Sequence, residues 1–137
     1  MGHCPRLQAG SSSSHLLCFT DLLATFAELL GAAPPTGLDS ESFLPVLCTP
    51  AANHEPRKPI VMRAGGGSMM IRDGDWKLIN RLGSGGFSKP RRVAPGPGDP
   101  KGQLYNLAKD PAETQNLWKE RPDLVKSLTG KLEKIAK

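Results

Sequence analysis

The pair Asp73-Gly74 stands between two short apolar arms, Ser68-Met-Met-Ile-Arg72 and Asp75-Trp-Lys-Leu-Ile-Asn80. A two-residue reversal of type I′ needs positive φ at both positions, and Asp-Gly is one of the few pairs that supplies it. The spacing therefore predicts a β-hairpin over about 68–80. Alternation along its second arm sends Trp76, Leu78 and Asn80 to one face and Lys77 and Ile79 to the other. Pro59-Ile-Val-Met-Arg63 before it and Gln103-Leu-Tyr-Asn-Leu107 after it read as further strands. Residues 82–102 carry six Gly and four Pro with no apolar period, which reads as a long irregular loop. Lys109 to Glu113 reads as a turn, and Thr114 to Trp118 as an ordered link with Leu117 and Trp118 inward. Pro122 to Lys137 closes the chain as a helix. Its Leu124, Val125, Leu128, Leu132 and Ile135 make one stripe, and Lys131, Lys134 and Lys137 sit at the end the helix dipole favours for cations. The expected fold class is α+β, a small antiparallel sheet of about four strands packed against a C-terminal helix.

The first half reads differently. Residues 1–14 are polar and end in four serines, which predicts a disordered N-terminal remnant. Thr20 or Asp21 can cap a helix over about 21–30, whose Leu22, Leu23, Phe26, Ala27, Leu29 and Leu30 form one broad apolar face. Gly31 and Pro34-Pro35 stop it. Ser42 to Leu47 reads as a single helical turn with Pro45 near its start, followed by a polar connector, Thr49 to Lys58. With 137 residues, the chain has room for one modest domain.

The net charge of +5 is unevenly placed. Residues 1–86 carry seven basic and seven acidic side chains, and residues 87–137 carry eleven and six. The excess falls in the Gly/Pro-rich loop (Lys89, Arg91, Arg92, Lys101) and on the last helix, with only 5% aromatic residues and no finger or helix-turn-helix pattern beside it. That reads as a solvated face, and nucleic acid is not an expected partner. No apolar run reaches the ~18 residues of a membrane span, and no leader pattern opens these residues, so neither membrane insertion nor export is expected from them. Cys4, Cys18 and Cys48 fit neither a disulfide framework nor a metal site and are expected to be thiols. His3, His15 and His54 show no ligand spacing, so no metal ligand is expected here.

Three short motifs invite chemistry. Leu82-Gly-Ser-Gly-Gly-Phe-Ser-Lys89 resembles the Gly-rich loop of protein kinases. Pro90 forbids the outgoing strand, however, and the kinase lysine, catalytic loop and metal loop are all missing. Cys48-Thr-Pro-Ala-Ala52 is similar to the Cys-x-Pro-x-Arg sequence that becomes formylglycine in sulfatases, yet Ala52 stands where the arginine must be, and Cys4-Pro-Arg6 is one residue short of the same pattern. Gly65-Gly-Gly-Ser68, flanked by Arg63 and Arg72, can cradle an anion with successive backbone N–H groups. No Ser/His/Asp arrangement or paired carboxylate accompanies it, so no catalytic residue is assigned.

In order and spacing, four segments together resemble the C-terminal part of a type I sulfatase of the arylsulfatase kind, in the alkaline phosphatase superfamily. They are Leu17 to Gly31, Asp39 to Leu47, Met70-Ile-Arg-Asp-Gly-Asp-Trp-Lys-Leu-Ile79, and Gln103-Leu-Tyr-Asn-Leu-Ala-Lys-Asp-Pro-Ala-Glu-Thr-Gln-Asn-Leu117. The resemblance implies that 15–58 ends a larger α/β sulfatase domain to which the 21–30 helix belongs. It implies that 59–137 is the sulfatase C-terminal subdomain, with hairpin 68–80, loop 82–102, strand 103–107 and helix 122–137. It implies sulfate-ester hydrolysis by a parent enzyme that uses calcium and a formylglycine, neither of them bound by this chain, which is expected to be inactive alone. Relatives of this kind are usually periplasmic or secreted. The missing N-terminal sulfatase domain is the partner so implied. The substrate-proximal candidates it marks are Arg63, Gly65, Gly66, Gly67 and Ser68. A second expectation is a small binding module for a sulfated or anionic polysaccharide, built on Arg63, the 65–67 turn, Lys89, Arg91 and Arg92.

Overall fold

The computed structural model describes residues 12–34, 36–48 and 55–136. The polar start up to residue 11, Pro35, residues 49–54 with His54, and Lys137 lie outside the described residues. Where length alone allows one modest domain, the chain divides into two compact units, Met1–Arg57 and Lys58–Lys137.

In the first unit, helix α1 (Asp21–Leu29) begins one residue after Thr20, whose side chain makes no capping bond. Asp21 fastens this end instead. Its carboxylate accepts from the Cys18 N–H (2.8 Å) and the Glu41 N–H (3.0 Å), and receives the Arg57 guanidinium through Nε (2.8 Å) and Nη2 (2.6 Å). Gly31 ends the helix in the left-handed region (φ +70°), with its own N–H on Glu28 O and the Ala32 N–H on Ala27 O, a Schellman ending. Segment 39–43 is laced to the helix through polar atoms. Thr25 Oγ1 donates to Asp21 O (2.7 Å) and accepts from the Phe43 N–H (3.1 Å), while Ser40 Oγ donates to Thr20 O (2.7 Å) and accepts from the Ala24 N–H (3.0 Å). The buried face of α1 is thus Asp21, Ala24 and Thr25, and the apolar residues Leu23, Phe26, Leu29 and Leu30 are exposed. The short helix α2 (Leu44–Cys48) carries Pro45 as its second residue, as the sequence indicates. Cys18 is free, but Cys48 is disulfide-bonded, which corrects the expectation of a thiol there: an odd count and wide spacing say nothing about which sulfurs meet.

The second unit is a four-stranded antiparallel meander, β1 (Ile60–Arg63), β2 (Met69–Asp73), β3 (Trp76–Ile79) and β4 (Gln103–Asn106), in sheet order β1-β2-β3-β4. The register aligns Val61, Ile71, Leu78 and Leu104 in one row across all four strands. Ile71, Leu78 and Leu104 are fully buried, and helix α3 (Pro122–Ile135) lays Leu128 and Leu132, one turn apart, over them. Ile135 continues the stripe by spacing but lies past the edge of the core, 44% exposed. The hairpin forms one residue later than the Asp-Gly signal implies. Asp73 pairs with Trp76, the loop residues are Gly74-Asp75, and only Gly74 has positive φ (+55°), the requirement of a II′ turn and not of I′. At the far edge Asn116 and Leu117 extend the sheet: Asn116 Oδ1 accepts from the Leu104 N–H (3.0 Å), and Leu117 N–H donates to Leu104 O (2.8 Å).

Candidate functional site

The 82–102 segment is not wholly irregular. Residues 82–93 fold back on themselves: Leu82 and Val93 form an isolated antiparallel bridge, Ser84 N–H donates to Pro90 O (3.0 Å), and Gly85 N–H donates to Arg91 O (3.0 Å). Two glycines make the return possible. Gly83 has φ +89° and so little space that a Cβ would stand 2.8 Å from Arg91 O, and Gly85 (φ +66°) lies against the buried Ser68 hydroxyl. Below this hairpin, Gln103 Nε2 donates to Arg81 O (2.7 Å) and Gly83 O (2.9 Å). Gln103 Oε1 in turn accepts from the Tyr105 hydroxyl (2.8 Å). Burial first, then the nearby Glu113 and Asp110 charges, push the Tyr105 phenol up, so it remains a donor over the ordinary pH range.

The β1-β2 connection faces this hairpin. Gly67 N–H donates to Ala64 O (2.9 Å) and Ala64 N–H to Ser68 O (2.8 Å), which presents the Gly66 carbonyl outward. That oxygen accepts two guanidiniums, Arg92 through Nη2 (2.8 Å) and Arg81 through Nη1 (3.2 Å). The two loops so joined enclose an open cleft of about 740 Å³ whose walls include Gly65, Gly66, Ser68, Phe87 and the three arginines Arg81, Arg91 and Arg92, and no carboxylate. Among the described residues, ion pairs join Arg57 to Asp21, Lys77 to Glu113 and Lys131 to Asp73, none of them involving these three arginines.

Of the residues marked by sequence, Gly65, Gly66 and Ser68 reach the cleft with Arg91 and Arg92. Arg63 and Gly67 are not among its lining residues, and Arg63 turns toward the Met69 sulfur at 4.0 Å. Gly67 spends its N–H inside the turn, so the centre of this loop is a carbonyl acceptor holding cations. Sequence reasoning missed Arg81 and Phe87. Arg81 is two residues past β3, a position that pairing with a distant loop decides. Phe87 was visible as the one aromatic residue in the Gly-rich stretch.

Among the described residues no group of three or more His, Cys, Asp or Glu converges to hold a metal ion, and Cys48 has its sulfur in a disulfide. Nor, among those residues, is any helix long and apolar enough to cross a membrane.

Fold and cleft together define a small α+β subdomain with a cationic face at its loop end. Curated relatives place it. The chain is 27% identical to mouse arylsulfatase K over 96% of its own length and 23% of that protein, and 32% identical to the ulvan-active sulfatase of Formosa agariphila over 92% and 29%. It is 29% identical to an N-acetylgalactosamine-6-O-sulfatase of Bacteroides thetaiotaomicron over 84% and 22%. No family model matches. A solved structure from work on the metabolism of multiple glycosaminoglycans by Bacteroides thetaiotaomicron superposes with a TM-score of 0.61 at 28% identity, over 84% of this chain and 24% of that one. Another, solved with its substrate D-glucosamine-2-N,6-O-disulfate, superposes at 0.54 and 24% identity over 84% and 23%, a likeness of fold. The chain spans about a quarter of the length of the curated relatives it matches. It is the counterpart of the C-terminal part of a sulfatase.

Proposed function

We propose that these residues form the C-terminal part of an enzyme that hydrolyses sulfate esters, and that the nucleophile and the metal ligands are supplied by the remaining part of that enzyme. The observation that carries this reading is similarity to sulfatases across nearly the whole chain, at 27–32% identity. In this division of labour the chain contributes binding and not bond cleavage. The Gly66 carbonyl holds two loops together through Arg81 and Arg92, and Ser68, Arg81 and Arg92 line the cleft between them. The partner is the N-terminal sulfatase domain, and calcium and formylglycine belong to it. The exposed apolar face of α1 supports such a partner, since among the described residues Leu23, Phe26, Leu29 and Leu30 lie together and are each about half exposed or more.

The test is turnover of an aryl sulfate by the purified 137 residues. The expected rate equals the uncatalysed background, with or without a chelator. Turnover that a chelator abolishes would overturn the division of labour.

The cleft favours a second reading, a binding module for a sulfated or anionic polysaccharide. Three arginines converge there without a carboxylate among them, and such a surface attracts anions whether or not hydrolysis follows.

A further inference from the structure

Phe87 is the only aromatic residue between Leu82 and Val93, is 97% exposed, and lies on the wall of the arginine cleft. We propose that the 82–93 hairpin is a subsite for an anionic pyranose: the sugar ring lies on the Phe87 face, and its charged substituent is held by Arg91, with Arg81 and Arg92 completing the cationic wall. The inference rests on the polysaccharide reading above and narrows it to named residues.

The arginines differ in preparation. Arg81 and Arg92 each commit one N–H to the Gly66 carbonyl, which leaves donors of their planar forks free while fixing where the forks stand. Groups held in place beforehand lose less conformational freedom when a ligand arrives. Arg91 makes no side-chain hydrogen bond or ion pair among the described residues, while its carbonyl is held by the Gly85 N–H, so an uncommitted guanidinium extends from an anchored backbone. Guanidinium N–H groups match the oxygen spacing of sulfate and carboxylate alike, and both ligand chemistries are meant here.

The single aromatic ring decides between ligand classes. A pyranose offers an apolar C–H face that meets the negative face of a phenyl ring, while its substituents point outward toward cations. A single-stranded nucleic acid is held by stacking successive bases on several aromatic rings, and this cleft has one. The open cleft, about 740 Å³, has room for a sugar ring together with its charged substituent.

Titration calorimetry on the full chain tests the subsite with four probes: dextran sulfate, unsulfated dextran, polyvinyl sulfate and oligo-dT. Dextran sulfate binds in a salt-sensitive manner, and unsulfated dextran does not. Arg91→Gln weakens dextran sulfate and polyvinyl sulfate alike by about ten-fold, and Phe87→Ala weakens dextran sulfate by about ten-fold while leaving polyvinyl sulfate unchanged. Lys126→Gln, exposed on α3 and outside the cleft, changes neither by more than about two-fold. Both side chains are exposed, so the variants keep the fold, which circular dichroism checks. If dextran sulfate binds and neither cleft variant alters it, the subsite is overturned and the polysaccharide reading survives elsewhere on the chain. No binding to dextran sulfate overturns both, and tighter binding of oligo-dT overturns the sugar assignment. None of these outcomes depends on hydrolysis, so the sulfatase reading stands or falls separately.

Discussion

Asp21 shows how much of this protein rests on single polar atoms. Its side chain is 1% exposed, yet every lone pair that matters is engaged by two backbone N–H groups or by the Arg57 fork. Burial pushes the carboxyl up, but the Arg57, Glu41 and Cys18 hydrogen bonds outweigh it, and the carboxyl sits below its ordinary value. A group with a depressed folded-state pKa contributes stability that is complete above its unfolded value, about 3.9 for Asp, and is lost as pH falls through the lower folded value. Protection factors of the α1 amides, with the intrinsic pH dependence of exchange divided out, should therefore hold from neutral pH to about 4 and fall below it. Asp21→Ala removes the acceptor of the Arg57 fork and of two backbone N–H groups at once and should cost about 3 kcal/mol of protection at neutral pH, with the acid dependence gone. Equal acid sensitivity in the variant would show that another group carries it. None of this was legible in advance. Position 21 reads as a capping residue, and its partner stands 36 residues away across a connector with no pattern of its own.

Elements fared better than atoms, because their signals are local. The helix expected over 21–30 is Asp21–Leu29, the strand at 103–107 is Gln103–Asn106, and the helix at 122–137 is Pro122–Ile135. The hairpin exists but is displaced by one residue, since pairing Asp73 with Trp76 keeps Ile71 opposite Leu78, and two buried side chains outweigh a turn preference. The loop at 82–102 was legible only as a break in periodicity. Its fold depends on Gly66 in the β1-β2 connection and on Gln103 and Tyr105 in β4, all distant in sequence from the loop's centre, and the candidate site was half legible for the same reason. The last helix offers a direct contrast along its own stripe. Leu128 is 2% exposed beneath the row of Ile71, Leu78 and Leu104, so Leu128→Ala should cost between about 2 and 5 kcal/mol. Ile135→Ala, at 44% exposure, should cost under about 0.5 kcal/mol. Urea unfolding followed by Trp76 and Trp118 fluorescence measures both. Equal losses would mean that α3 sits on the sheet in a different register.

At the scale of the whole molecule the two units make opposite use of their apolar residues. Lys58–Lys137 buries its best row between sheet and helix, whereas the described part of Met1–Arg57 turns polar atoms inward and leaves Phe19, Leu23, Phe26, Leu29 and Leu30 in water, Phe19 at 91% and Leu30 at 80% exposure. At ~25 cal/mol per Å², covering four or five such side chains is worth several kcal/mol, comparable to the stability of a small domain. A surface of that kind drives association with whatever is present. If the proposed sulfatase domain is its natural cover, the isolated chain can satisfy it only with further copies. Light scattering should then show self-association that rises with concentration and persists in high salt. Leu23→Ser, Phe26→Ser and Leu30→Ser combined should abolish it without loss of helix signal, because the bonds that hold α1 run through Asp21, Ala24 and Thr25 on the opposite face. The same variant leaves the arginine cleft untouched, so its affinity for dextran sulfate should equal that of the parent chain. Association that survives the three substitutions would mean that a different surface is the sticky one, and would remove the exposed face of α1 as support for the proposed partner.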